Sequence, residues 1–285
     1  MILVLKPCSY TSYLRTFMIK LLHLIPGQVL ERLYYSRFSS ILTSIYDYLN
    51  KNENLKTHRI PGDLLMEIDL SKPAQSAIPF NAFEPAITQN FLDIVREGGI
   101  VVDVGAWIGY YTILAARNAQ KVVAVEADET NCKRIKRNVD LNSFSNVTIL
   151  NVAVGDKSSQ GVLIEGESSS THKVTCQGIG KAIKIESLDN IINKLQIDAV
   201  NLLILDIEGY EFFALKGLQR SLSARTIKNV ICEIHPMMLE ENGISENDVP
   251  DLLRKYGYEV RPLVAKAANS KPYHIYAKPL SHNKR

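Results

Sequence analysis

Val101-Val102-Asp103-Val104-Gly105-Ala106-Trp107-Ile108-Gly109 reads as a β-strand delivered through a glycine turn into a helix, and that reading decides the fold. The valines suit a strand buried on both faces. Gly105 and Gly109 fall at the turn, where a side chain would obstruct a ligand that must approach the backbone closely. Downstream the same rhythm repeats. Short β-rich apolar runs at 100–104, 122–126, 147–152, 202–206, 230–235, 258–263 and 274–278 alternate with helical patterns at 110–118, 129–142, 187–195, 210–221 and 246–256. Such alternation marks βαβ units around a largely parallel sheet, so a doubly wound, Rossmann-like α/β domain with a seven-stranded sheet is expected. Ser187 has the residue type of a helix N-cap.

Upstream, a helix pattern from Glu84 through Phe91, Leu92, Ile94 and Val95 stops at Gly98-Gly99. Pro61-Gly62 marks a turn before the alternating run Leu64-Leu65-Met66-Glu67-Ile68-Asp69-Leu70, and Pro26-Gly27 ends a first helix. Between Met1 and Leu30 the apolar runs are cut by Lys6, Arg15, Lys20 and His23. Neither the roughly 20 apolar residues of a membrane span nor a cleavable leader is therefore expected. The amphipathic stretch from Tyr13 to Leu22 is read as packing on the main domain, with a membrane surface as the alternative. The expected division is an N-terminal helical and strand extension over 1–79 and a ligand-binding domain over 80–285. Between Gly155 and Ile185 the chain is rich in Ser, Gly and Thr, yet apolar residues keep recurring. That stretch reads as short strands or loop over the sheet edge.

A net charge of +3 on 285 residues gives no stripe of positive charge for a phosphate backbone, so no nucleic-acid partner is indicated. Cys8, Cys132, Cys176 and Cys232 form no Cys-x-x-Cys pair, which excludes a zinc knuckle and suggests no disulfide framework. A reducing, cytoplasmic setting is the expectation.

The turn also discriminates between ligands. Gly-x-Gly-x-x-Gly is absent, because Trp107 stands where a second glycine would admit a pyrophosphate. Asp103 would repel a diphosphate but welcome the cationic amino acid end of S-adenosylmethionine. Glu126 closes the next strand about twenty residues on, where a carboxylate can accept from both ribose hydroxyls of an adenosine ligand. Asn151-Val152-Ala153-Val154-Gly155-Asp156 ends the third strand, with small members such as Ala153 suited to an adenine ring.

Ligands of open α/β sheets sit outside the carboxyl ends of the strands, and Asp206, Glu208, Glu233 and His235 all fall there. If the ligand is the sulfonium donor, passing on its methyl group asks for alignment of the reactants and, where the acceptor is a hydroxyl, removal of a proton. Asp206 or His235 is the candidate base, with Pro236 restricting the backbone of His235. Oxygen ligands with one imidazole would suit a divalent metal, but sequence spacing fixes no ligand geometry for these four groups, so no metal is assigned.

Three segments resemble the FkbM family of methyltransferases: Val101 through Thr112, then Leu203-Ile204-Leu205-Asp206-Ile207-Glu208-Gly209-Tyr210-Glu211, then Glu233-Ile234-His235. The resemblance runs from about Phe80 to Pro279, and Asp-x-Glu-Gly-x-Glu is its most specific part. It implies a class I methyltransferase fold with an antiparallel final strand and S-adenosylmethionine as donor. It also implies O-methylation of a sugar or other small hydroxylated metabolite. Carried over by position, the cofactor-binding residues are Asp103, Gly105, Gly109, Thr112, Glu126, Ala127, Ala153 and Asp206, and the catalytic residues Asp206, Glu208 and His235. Trp107 stands where the family commonly has Asn, Ala127 where Pro is usual, and Ile204 where Lys is frequent.

Two other readings compete. A nicotinamide-dependent oxidoreductase would use the same turn and Glu126 but needs a cation near Asp103. A non-catalytic relic would bind the adenosine ligand without chemistry. Base methylation of nucleic acid is disfavoured, since Asp206-Ile207-Glu208-Gly209 replaces the Asn/Asp-Pro-Pro-Tyr/Phe turn that such enzymes use.

Overall fold

The computed structural model describes residues 55–60, 62–164, 166, 173–175, 179–263 and 271–280. The expected amphipathic helix at Tyr13 to Leu22 and the Pro26-Gly27 turn lie outside these residues. The chain forms two compact units, Met1–Thr88 and Gln89–Arg285. In the first, β1 (Leu55–Ile60) pairs antiparallel with β2 (Leu64–Asp69), Ile60 opposite Leu64. Leu64, Met66 and Ile68 are buried at alternate positions, the period of a strand with one dry face. A short helix α1 (Pro73–Ala77) and a 3-10 turn (Ile78–Phe80) follow. Along the chain α2 (Pro85–Val95) leads into the second unit.

The second unit is built on a seven-stranded sheet. Its strands are β3 (Ile100–Val104), β4 (Lys121–Glu126), β5 (Val147–Asn151), β10 (Leu202–Leu205), β11 (Val230–Ile234), β12 (Tyr258–Pro262) and β13 (Tyr273–Pro279), in spatial order β12-β13-β11-β10-β3-β4-β5. β13 runs antiparallel to both its neighbours, and the other pairings are parallel. The sheet grows from β3 outward to β5, then returns to place β10 on the other side of β3. That reversal is the topological switch point, where the loops part and leave a crevice.

Between β5 and β10 the chain makes a second sheet of order β6-β9-β7-β8, from β6 (Ala153–Val154), β7 (Ser159–Ile164), β8 (Lys173–Thr175) and β9 (Lys181–Glu186). The described residues of the excursion expected over 155–185 thus include the strands β7, β8 and most of β9. The helices are α3 (Tyr110–Ala116), α4 (Glu129–Leu141), α5 (Leu188–Lys194), α6 (Glu211–Lys216), α7 (Gln219–Ser223), α8 (Pro236–Glu241) and α9 (Asp248–Lys255). Val102, Val104, Val123, Val125, Leu203 and Leu205 form the centre of the core with Leu188, Leu215 and Leu218. Ser187 caps α5 as expected, its side chain accepting from Asn190 N–H.

Two elements differ from the sequence reading. The single helix expected over 210–221 is broken in two. Gly217 packs so closely that a Cβ there would lie 2.1 Å from Gly155 O, and Asp189 accepts the N–H groups of Arg220 and Ser221, which starts α7 as a new helix. The sequence reading places no helix after β11, yet Pro236 opens α8 in its first turn, where its missing N–H costs nothing, while His235 before it stays outside the helical region at φ −107, ψ 84. Among the described residues no helix is long and apolar enough to cross a membrane.

Candidate active site

The glycine turn after β3 is pinned on three sides. Gly105 and Ala106 N–H both donate to Val125 O, at 2.9 and 3.2 Å. Asn138, buried on α4, donates to Ile108 O at 2.9 Å. Trp107 N–H donates to Glu126 Oε2 at 2.8 Å. Gly105 has φ +79, and a Cβ there would lie 1.7 Å from Asp206 O. What demands glycine at 105 is therefore the backbone of the adjoining strand end, in addition to any ligand. Trp107 sits in the left-handed region at φ +50, a conformation that Asn tolerates well and bulky residues poorly. The departure at Ala127 is compensated: Asn151 Nδ2 donates to both Glu126 O and Ala127 O, fixing a turn that proline would otherwise stiffen. Ala127 and Ala153 pack with Leu163, Ile183 and Ile185 of the second sheet.

Of the three carboxylates assigned to the cofactor, Glu126 and Asp103 are buried and Asp206 is half exposed. Glu126 accepts Trp107 N–H through one oxygen and Asp128 N–H through the other, each at 2.8 Å. Ribose hydroxyls would thus add to a carboxylate already fastened to the turn. Burial pushes its carboxyl up to about 7 against the pull of those hydrogen bonds. Asp103, only 3% exposed, accepts from Thr112 Oγ1 at 2.5 Å. Burial pushes this carboxyl to about 7 as well, with the Thr112 bond opposing and the charge of Asp206 adding to the rise. Asp103 therefore lies beneath the turn with a proton shared over the neutral range, whereas the sequence reading treats it as a bare anion.

The sign of that shift makes a prediction. A carboxyl raised from 3.8 to about 7 on folding holds its proton in the native state where the unfolded chain has lost it. Its contribution to stability is whole below about pH 4, falls as pH rises toward 7, and is flat above. Asp103→Asn, neutral at every pH, is expected to gain on the wild type by up to about 1.4 kcal/mol per pH unit across that window. Urea denaturation of both proteins at pH 4.5, 6 and 8 reads it, and a constant difference would remove the burial effect.

On the other side of the switch point, the residues after β10 and β11 converge. Asp206 N–H donates to Val104 O at 3.0 Å, so the end of β10 abuts the glycine turn. Glu208 at φ +51 and Gly209 at φ +88 fold the chain back, and a Cβ on Gly209 would meet Met238 Cβ at 2.4 Å. The fold-back brings Asp206 and Glu208 to one imidazole. His235 Nε2 lies 3.5 Å from Glu208 Oε2, 3.7 Å from Asp206 Oδ1 and 3.8 Å from Glu233 Oε2. Its Nδ1 is 2.7 Å from Oε1 of Glu211, an acid with no exposed surface whose same oxygen accepts Gly209 N–H at 2.9 Å. Burial lowers the affinity of His235 for a proton, but the Glu211 bond and the charges of Asp206, Glu211 and Glu208 outweigh it and bring the imidazole to about 9. His274, 3.8 Å from Glu233, is pulled down to about 4, chiefly by burial.

Asp206, Glu208 and His235, which the sequence places only at strand ends, are thus brought together next to Gly105. Thr112 supports Asp103 under the turn. Ile204 is buried on β10 and offers no charge to Asp206. Glu211, Asn138 and His274 escaped the residue-by-residue reading. Only Glu211 left a trace, as the last acid of the Asp-x-Glu-Gly-x-Glu run. Cys132 and Cys232 are buried thiols pushed up by burial and nearby acids, unsuited to nucleophilic work.

The family model described as the methyltransferase FkbM domain matches residues 103–260. A hexuronic acid methyltransferase, AglP, of Haloferax volcanii is 28% identical over 174 residues, which is 60% of this chain and 67% of that protein. An uncharacterized protein of Methanocaldococcus jannaschii is 35% identical over 66 residues, 23% of this chain and 26% of that one. Among solved structures, an rRNA methylase from Streptococcus thermophilus has 13% identity and a TM-score of 0.42, covering 68% of this chain and 95% of that one. TYW2 of M. jannaschii in complex with AdoMet has 15% identity and a TM-score of 0.39, covering 79% and 85%. The fold assignment rests on the strand order above and not on these two.

Proposed function

Because this chain belongs to the FkbM family of methyltransferases, we propose that it moves the methyl group of S-adenosylmethionine to an oxygen of a sugar or another small hydroxylated metabolite. The observation that carries this is the abutment of the two half-sites: Gly105 and Asp206 meet backbone to backbone at the switch point. A donor seated on the glycine turn would be next to the only half-exposed member of the acid and imidazole cluster. Glu126, already fixed to Trp107 and Asp128, would accept the ribose hydroxyls, and Asp103 with Thr112 would support the amino acid end. The small Ala127 and Ala153 border the adenine side.

Asp206 is the base in this reading. Its side chain is 46% exposed while that of His235 is 6% exposed, so an acceptor reaches the carboxylate first. The acceptor oxygen attacks the methyl carbon, the carbon–sulfur bond breaks, the sulfonium becomes a thioether, and the hydroxyl proton passes to Asp206. His235, held by Glu211, and Glu208 keep that carboxylate in place. The likeness to a hexuronic acid methyltransferase makes uronic acids the first acceptors to try. Acceptor choice is assigned to the second sheet, an addition to the seven-stranded sheet within the same unit.

Calorimetry with S-adenosylmethionine, S-adenosylhomocysteine and NAD, followed by transfer of a labelled methyl group to a panel of sugars and uronic acids, tests the reading. Saturation by NAD with indifference to both sulfur ligands would end it. Asp206→Asn is expected to lower turnover by about 10²- to 10⁴-fold while S-adenosylhomocysteine affinity changes little. Equal losses in both would make Asp206 a cofactor residue and no base.

A further inference from the structure

Around His235 Nε2 the carboxylates stand at ion-pair distance, beyond the length of a well-made hydrogen bond. A well-made N–H···O bond is about 2.7–3.2 Å long, and one N–H serves one good acceptor. His235 Nε2 instead faces three carboxylates at 3.5, 3.7 and 3.8 Å. The ligand atoms of Asp206, Glu208 and His235 all lie within 4.8 Å of one another. Ligands bound at about 2.1 Å to one ion are separated by about 3.0 Å at right angles and about 3.4 Å in a tetrahedron, a little under the 3.5 and 3.7 Å from Nε2 to Glu208 and Asp206.

An independent feature stands behind the imidazole. Glu211, fully buried, holds Nδ1 at 2.7 Å and is itself fixed by Gly209 N–H, so Nε2 is the nitrogen left to face Asp206 and Glu208. A carboxylate on the far nitrogen is the arrangement that orients metal-bound histidines and raises their basicity. Glu208 and Asp206 add two negative charges, and Glu233 a third at the edge. The geometry points to a divalent-cation site formed by Asp206, Glu208 and His235 Nε2, with Glu211 as the carboxylate that sets the ring. Two carboxylate oxygens and one imidazole nitrogen suit Mn²⁺ and its neighbours better than Ca²⁺. The site deepens the methyl-transfer reading, since the cation would gather acceptor oxygens where Asp206 lies.

The test uses the full chain, stripped with a chelator, with MnCl₂ as the only probe. Electron paramagnetic resonance of free Mn²⁺ should report one saturable site, and spin-echo spectra of the bound ion should show a coupled imidazole nitrogen. Asp206→Asn, Glu208→Gln and Glu211→Gln should each weaken binding by about 10- to 100-fold. No saturable binding, no nitrogen coupling in the wild type, or affinity unmoved by all three substitutions overturns the site. The spin-echo result needs no variant, so misfolding of one leaves the outcome decided. Calorimetry with S-adenosylhomocysteine on the same wild-type sample separates the two readings. Donor binding without Mn²⁺ binding sinks the cation alone, and Mn²⁺ binding without donor binding sinks the donor reading.

Discussion

Gly105→Ala is expected to leave little or no folded protein. The new Cβ would lie 1.7 Å from Asp206 O and 2.8 Å from its carbonyl carbon, and both are backbone atoms. No rotamer change relieves that overlap. Either β10 retreats from β3, or the turn abandons φ +79 and with it the hydrogen bonds to Val125 O. Retreat of β10 would break its register of Leu202 to Leu205 against Val101 to Val104, in the middle of the core. The left-handed backbone alone costs alanine about 1–2 kcal/mol. Opening the central strand pair raises the total above about 5 kcal/mol, comparable with the whole stability of an ordinary domain. Gly109→Ala is the control: its φ is +89, yet the atoms nearest the new Cβ are those of Ile135 at 3.3 to 3.5 Å, two of them in a side chain that can yield. It should lose about 1–2 kcal/mol and stay folded. Urea denaturation of the two variants side by side checks the ranking, and equal midpoints would show that the strand end yields easily.

That contrast also shows what a sequence can and cannot disclose. The sheet was legible because strands buried on both faces write themselves as unbroken apolar runs, such as Val122 to Val125 and Leu202 to Leu205. The antiparallel final strand followed from family resemblance, since nothing in Tyr273 to Pro279 encodes direction. The importance of Gly105 was legible, but not its cause, because Asp206 lies a hundred residues away in sequence. The same applies to Glu126, whose partners Trp107 and Asp128 appear only once the turn folds over β4. β1, with its alternating burial, went unread because Lys56, His58 and Arg59 mask the pattern. The broken helix at Gly217 depends on Gly155 and Asp189, distant residues that no local propensity contains.

Within the candidate site, Asp206, Glu208 and His235 were legible as residue types at strand ends, a place where the fold concentrates chemistry. Their mutual arrangement was not, because it depends on the left-handed backbone at Glu208 and Gly209. Glu211 was hidden for a different reason: an acid in the first turn of a helix is usually read as a favourable partner of the helix dipole. Here it faces inward with no exposed surface.

Glu211 carries the second large prediction. Glu211→Ala removes at once the partner of His235 Nδ1 and the acceptor of Gly209 N–H, leaving a buried imidazole and a backbone donor unsatisfied. Breaking a buried charged pair from one side costs about 3–5 kcal/mol, far more than the pair contributes when intact. Glu211→Gln separates the causes. Its amide oxygen can still accept from Gly209 N–H, so the backbone turn survives while the negative charge is lost. A cost nearer to 1–3 kcal/mol is expected, the range for a hydrogen bond to a charged group. Both variants should lower the turnover of methyl transfer while the KM for S-adenosylmethionine stays within a few-fold, because Glu211 acts on Asp206 only through His235. Urea denaturation at pH 7 and a steady-state split of kcat from KM check the two halves. If Glu211→Ala matched the wild type in stability, the imidazole would have to be held by something other than this acid. The orientation of Nε2 toward Asp206 and Glu208 would then lose its physical cause.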